Sequence, residues 1–151
     1  MHTRISQPAV YQYCPRLAKH LVALGKVPDS AHIEPAVIHL IKLRVSQINH
    51  CGFCQHMHSA EARKDGERQE RLDVLPAWRE VACFTPKERA ALAWAEATTL
   101  ISQQAVNDEV YQNALAHFGE ADLIELTGVI LEINSWNRIS VSLQFQPAIA
   151  D

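Results

Sequence analysis

Two cysteines three residues apart, with a histidine four residues beyond the second, carry the clearest chemistry in the chain. The segment reads Arg44-Val45-Ser46-Gln47-Ile48-Asn49-His50-Cys51-Gly52-Phe53-Cys54-Gln55-His56-Met57-His58. On a helix the spacing puts Cys51, Cys54 and His58 on one face. Asn49 is placed to cap that helix, setting Cys51 in its first turn, where free N–H groups stabilise a thiolate and lower its pKa. A pair across one turn can close a disulfide with little motion. An imidazole, with an unperturbed pKa of about 6.5, can exchange protons with a thiol near neutral pH. Thiolate, resolving thiol and relay base are the parts of a peroxide-reducing dithiol. His39, twelve residues before Cys51, could face the thiols from the preceding helix if the two helices pair tightly.

Other uses of these residues compete. Buried cysteines can be small core hydrophobes. Zinc is the sharper rival: Cys51, Cys54 and His58 supply three ligands, with His39 or His50 as a fourth. No second Cys-x-x-Cys or His-x-x-x-His pair supports a structural zinc site. Covalent haem needs histidine directly after the second cysteine, and residue 55 is Gln. A thioredoxin arrangement needs strands around the motif, and none are evident. Trp94, Trp136, Asn137 and Arg138 are candidate pocket residues, although tryptophans among Ala and Leu usually belong to a core or interface. Arg44 and Glu132, in apolar segments, suggest a buried or inter-subunit ion pair. Cys14 and Cys83, without neighbouring His or Cys, read as structural. His56 and His50 read as exposed helix-start residues, and His20, His32 and His117 support no functional argument.

The elements that must position the dithiol are helical. Residues 9 to 24 form a broken helix, with Pro15 suited to a first turn and Gly25 just past the end. Residues 35 to 48 carry apolar side chains at near-helical spacing. A third helix runs from Cys51 to about Lys64 and ends at Gly66. A short helix over Arg68 to Val74 leads to Pro76 and a further turn. Thr85-Pro86-Lys87-Glu88 is a capping box with proline in the first position, opening a helix to about Ser102. Asn107 caps another helix, closed by Gly119, and the last runs from about Glu120 to Leu143. The expectation is an all-α domain of six or more helices spanning residues 1–151, with residues 1–8 extended. Val141 and Phe145 could locally favour strand.

Bulk properties fit one soluble domain. The 151 residues are 48% hydrophobic and 21% charged, ordinary values for a globular protein of this length. A net charge of −3, without a Lys/Arg run, argues against nucleic acid. No stretch has the roughly 18 consecutive apolar residues of a membrane span. The N-terminus lacks an apolar signal run, so the expected location is the cytoplasm, where thiols stay largely reduced.

The combined pattern resembles a known family. Leu43 to Asn49, then Cys51-x-x-Cys54-x-x-x-His58, Ala62 and Gly66, are similar to the alkylhydroperoxidase (AhpD-like) branch of the carboxymuconolactone decarboxylase family. The likeness continues through Phe84 to Leu92, Val106 to Tyr111 and Ile133 to Arg138, covering about residues 30 to 143. It implies an all-helical fold, a homo-oligomer (trimer or hexamer), and thiol peroxidase or disulfide reductase activity. It implies that Cys54 is peroxidatic and Cys51 resolving; His58, helped by His39, is expected to move the protons. Helix position alone favours Cys51 as the more acidic thiol. No bound cofactor is implied; the reductant is an external dithiol, possible carriers including a lipoyl-type protein. Decarboxylase relatives lack the dithiol, which argues against lactone chemistry. The chain departs from the pattern at His39, where relatives with a proton relay commonly have glutamate, and at His50, where glycine is usual.

Overall fold

The computed structural model describes residues 4–150. Among them are seven α-helices and one 3₁₀ turn, without a strand: α1 (Gln7–Tyr13), α2 (Pro15–Gly25), α3 (Pro35–Ile48), α4 (Gly52–Lys64), α5 (Gln69–Asp73), the 3₁₀ turn (Leu75–Ala77), α6 (Pro86–Thr99) and α7 (Asp108–Leu143). The all-α expectation is met. Of the segment expected to be extended, residues 4–6 are coil and α1 already starts at Gln7, capped by Ser6; residues 1–3 lie outside the described residues. No helix among the described residues is long and apolar enough to cross a membrane.

Local signals set most boundaries. Pro15 separates α1 from α2 because the residue before proline is pushed out of the helical region; Cys14 has φ −138° and ψ 68°. The capping box of α6 is present, Thr85 and Glu88 each satisfying the other's backbone N–H. Asn107 caps α7 by accepting the Val110 N–H. Gly119, at φ 72° and ψ 172°, breaks the helical path within α7, so the expected boundary survives as a kink.

α3 is the central helix. Val37, Ile41 and Val45 pack against the alanines of α6 (Ala90, Ala91, Ala95) and against Leu126, Val129, Ile130 and Ile133 of α7. Its other side, through Leu40 and Leu43, meets Ala62, Leu72, Leu75, Trp78, Phe84 and Leu92. Alanines on α6 let the helix axes approach closely. α1 and α2 lie outside this core; α2 buries no residue fully and rests on α7, where Gly128 makes room for the Leu24 carbonyl.

The α3–α4 elbow positions the cysteines. The His50 N–H donates to the Gln47 carbonyl (3.1 Å) and the Cys51 N–H to the Ser46 carbonyl (2.9 Å). This is a Schellman closure, which needs a left-handed residue, and His50 supplies it at φ 55°. The elbow is short enough that Cys51 both completes this closure and serves as the N-cap of α4. Asn49 therefore does not cap α4 as expected; it is the C-cap of α3. Its amide donates to Asn134 Oδ1 and Asn137 Oδ1, both at 3.0 Å. Asn137 in turn donates to Ser46 Oγ, and Asn134 to Thr99 Oγ1. A buried amide network thus ties the elbow to α6 and α7.

Candidate active site

Cys51 and Cys54 are joined in a disulfide, their Cα atoms 5.3 Å apart. As N-cap, Cys51 also accepts the Cys54 N–H at its sulfur, 3.2 Å away. The first turn of α4 therefore directs the Cys54 backbone N–H at the Cys51 sulfur, a contact of the kind that stabilises negative charge on sulfur. Each cysteine is only 1% exposed. Cys54 faces a cleft of about 350 Å³, and Cys51 does not line it.

The cleft lies between the α1–α2 pair and the core helices. Tyr11 and Trp136 form one aromatic wall, edge to face at 6.2 Å. Phe53 and Phe145 form another at 5.7 Å. Phe145 reaches this position because Gln144 adopts a left-handed conformation (φ 56°) directly after α7. Among the described residues, His50 and Gln144 are the non-glycine residues with positive φ, and each turns the chain into the site.

Polar groups occupy the interior of the cleft. His58 is buried, one turn after Cys54, and its Nδ1 lies 2.8 Å from Glu61 Oε2. An ionised carboxylate only accepts, so Nδ1 carries the proton and Nε2 is left as the base. The hydrogen bond from His58 holds the Glu61 carboxyl below its ordinary range, with the charges of His58, Lys42 and His39 adding to the effect against partial burial. Cys54, His58 and Glu61 thus form a row along one face of α4.

From the facing helices, Lys42 Nζ lies 3.0 Å from Glu132 Oε2. Glu132 is 7% exposed, and no donor among the described residues is aligned on that oxygen. The contact with Lys42 is therefore ionic, and Oε2 keeps its acceptor capacity. Glu132 sits directly against Gly25, where a β-carbon would lie 2.4 Å from the carboxyl group.

Several expectations are corrected. His39 does not join the thiols; its Nε2 lies 2.7 Å from Asp65 Oδ2 at the far end of α4. His39 lies eleven positions before His50 and Asp65 fifteen after it, so the pairing of α3 with α4 brings His39 to the C-terminal end of α4. With His39 bonded to Asp65 and both sulfurs in a disulfide, the zinc set Cys51, Cys54, His58 and His39 is not assembled, and no group of three such side chains converges among the described residues. Arg44 and Glu132 are each in an ion pair but not with one another: Arg44 Nε binds Glu96 Oε1 at 2.7 Å. Lys42 and Arg44, two positions apart on α3, point to different neighbours. Of the pocket candidates, Trp136 lines the cleft. Trp94 donates to Thr127 elsewhere, Asn137 belongs to the elbow network, and Arg138 binds the Asn134 carbonyl. Cys83 is exposed rather than a core thiol, and Cys14 is half-buried. Lys42 and Glu61 were not marked by sequence; the pairing of α3 with α4 brings both to the same cleft.

The profile of the carboxymuconolactone decarboxylase family matches residues 8–97, including both cysteines and His58. Over nearly its whole length the chain also superposes on the crystal structure of ATU0492 from Agrobacterium tumefaciens, a protein of unknown function proposed as an AhpD antioxidant defence protein; the TM-score is 0.88 and identity 36%, covering 99% of this chain and 100% of that one. The chain is an AhpD-like member of the carboxymuconolactone decarboxylase family. It is 40% identical to YdfG of Bacillus subtilis over 133 residues, 88% of this chain and 90% of YdfG. The fold also matches the debrominase Bmp8, solved with 2,3,4-tribromopyrrole, at a TM-score of 0.72 and 20% identity over 93% of this chain and 71% of that one. At that identity the likeness concerns the fold alone. Glu132, Trp136 and Phe145 lie beyond the matched family segment, in the part of the cleft supplied by α7 and the chain following it.

Proposed function

We propose that this AhpD-like protein is a thiol peroxidase that reduces organic hydroperoxides through Cys54 and Cys51. The observation that carries this reading is the asymmetry of the pair: Cys54 opens on the cleft beside His58, and Cys51 stands behind it within bonding distance. The Cys54 thiolate attacks the terminal peroxide oxygen; the S–O bond forms as the O–O bond breaks, giving a sulfenic acid and an alcohol. The Cys51 thiol then displaces water from the sulfenic acid, forming the disulfide. An external dithiol returns both sulfurs to thiols and leaves as its own disulfide. His58, its tautomer held by Glu61, takes the proton from Cys54, and the departing alkoxide is protonated to the alcohol.

Burial of both sulfurs favours a small peroxide over the disulfide of a folded protein as substrate. It equally favours a slender reductant, such as a dihydrolipoyl arm, able to enter the cleft.

The test is consumption of cumene hydroperoxide with excess dihydrolipoamide. Turnover above the rate of the reductant alone is expected, lost in Cys54→Ser. Cys51→Ser should reduce one equivalent rapidly and then stall at the sulfenic acid. Full turnover by Cys54→Ser would overturn the reading.

A further inference from the structure

We infer that the Lys42–Glu132 pair forms the peroxide-binding floor of the cleft: Glu132 accepts the hydrogen bond of the peroxide O–H, and Lys42 stabilises and protonates the departing alkoxide. The inference rests on the peroxidase reading above and adds the groups that grip the reacting oxygens.

Three observations lead to it. Glu132 is a carboxylate more than nine-tenths buried, yet its Oε2 has no aligned donor among the described residues. Burying an acceptor without a donor is costly, and a ligand hydroxyl would relieve that cost. The ionic partner of that oxygen, Lys42 at 3.0 Å, lines the same cleft as Cys54. Its ammonium has three donors, more than one contact uses. Finally, the backbone is adapted to this carboxylate: Gly25 leaves the space that Glu132 occupies, and any side chain there would displace it.

An acceptor and a cation side by side match the two ends of a hydroperoxide group. The outer oxygen carries a hydrogen for Glu132 Oε2. The inner oxygen gains negative charge as sulfur attacks, and the Lys42 ammonium, itself largely buried beside Glu132, meets that charge where a fixed cation acts more strongly than in bulk water. The Cys54 thiolate supplies the electron pair, the alkoxide takes its proton from Lys42, and solvent reprotonates the amine. His58 remains the base for Cys54.

The experiment separates peroxide binding from thiolate chemistry. Reduced protein is mixed with cumene hydroperoxide in a stopped-flow instrument, and disulfide formation is followed. In parallel, alkylation of Cys54 by iodoacetamide is followed by peptide mass. Both rates are taken at their high-pH plateaus, so that a change in thiol pKa cancels. Lys42→Met should slow the peroxide reaction about 100-fold, the scale for losing one preorganised charge-stabilising donor, while alkylation stays within about threefold. Lys42→Arg should recover much of the loss. Glu132→Gln should slow the peroxide reaction roughly tenfold, since the amide oxygen is a weaker acceptor than a carboxylate. Gly25→Ala, which moves the carboxylate without altering it, should reproduce the effect and serves if Glu132→Gln fails to fold. Peroxide rates within about threefold of the parent in Lys42→Met and Gly25→Ala, or peroxide and alkylation rates falling together, would overturn the inference and leave the peroxidase reading standing. A parent protein that alkylates readily but never consumes peroxide would overturn both.

Discussion

At the residue scale, His50 is where local strain and site position meet. It holds a left-handed conformation that favours glycine, and it does so to close α3 and deliver Cys51 to the head of α4. The imidazole itself is exposed. His50→Gly should therefore stabilise the reduced protein by about 0.5–1 kcal/mol, the strain released less the added freedom of the unfolded chain. Urea denaturation under reducing conditions measures it; a loss of stability would mean that the imidazole makes an unrecognised contribution. The same residue marks a limit of sequence reading. Cys51, Cys54 and His58 were legible from spacing alone, because a helical turn is the shortest-range structure a chain makes. The separation of His39 from them was not, because it depends on where the elbow falls and on the two helices running antiparallel.

At the scale of elements, the elbow is held from outside by side chains of α7. Asn49, half-buried, exchanges hydrogen bonds with the buried Asn134 and Asn137, and Asn137 with the buried Ser46. Removing one member leaves its buried partners unpaired. Asn137→Ala should cost about 1–3 kcal/mol in denaturant unfolding. If the network only supported the fold, the rate of disulfide formation with peroxide would be unaffected. Because the network positions Cys51, that rate should fall as well. Helix existence and most boundaries were readable from capping boxes, prolines and glycines, as at Thr85–Glu88 and Gly66. The cap of α4 was misread at Asn49, since a polar side chain before a helix can as well close the helix behind it. Glu132 was noticed as a charge in an apolar stretch, but its partner could not be chosen between Arg44 and Lys42 without knowing which way each faces from α3.

For the whole molecule, pH dependence follows from carboxylates with specific partners. Burial acts to raise the Glu96 carboxyl, but hydrogen bonds from Trp78, Arg44 and Arg79 outweigh it and hold the carboxyl below its ordinary value of 4.5. The Glu61 carboxyl is lowered as well, chiefly by His58. A depressed carboxyl pKa adds stability that is present above the unfolded value and is lost as pH falls through the folded one. The melting temperature should therefore hold near neutrality and drop below about pH 4.5. Glu96 joins α3, α6 and the segment after the 3₁₀ turn, so Glu96→Gln should lower stability at pH 7 and flatten the acid limb. An acid limb as steep in the variant as in the parent would assign the acid transition to other carboxylates.

Both sulfurs belong to a single turn of helix, with Cα atoms already 5.3 Å apart and their backbone hydrogen-bonded into the elbow. Making or breaking the bond between them asks almost nothing of the rest of the chain. The geometry of the pair gives the oxidation step little leverage on the shape of the molecule. Under the peroxidase reading, a partner senses the state of the pair by entering the cleft and exchanging electrons with Cys54, and what passes between them is reducing equivalents.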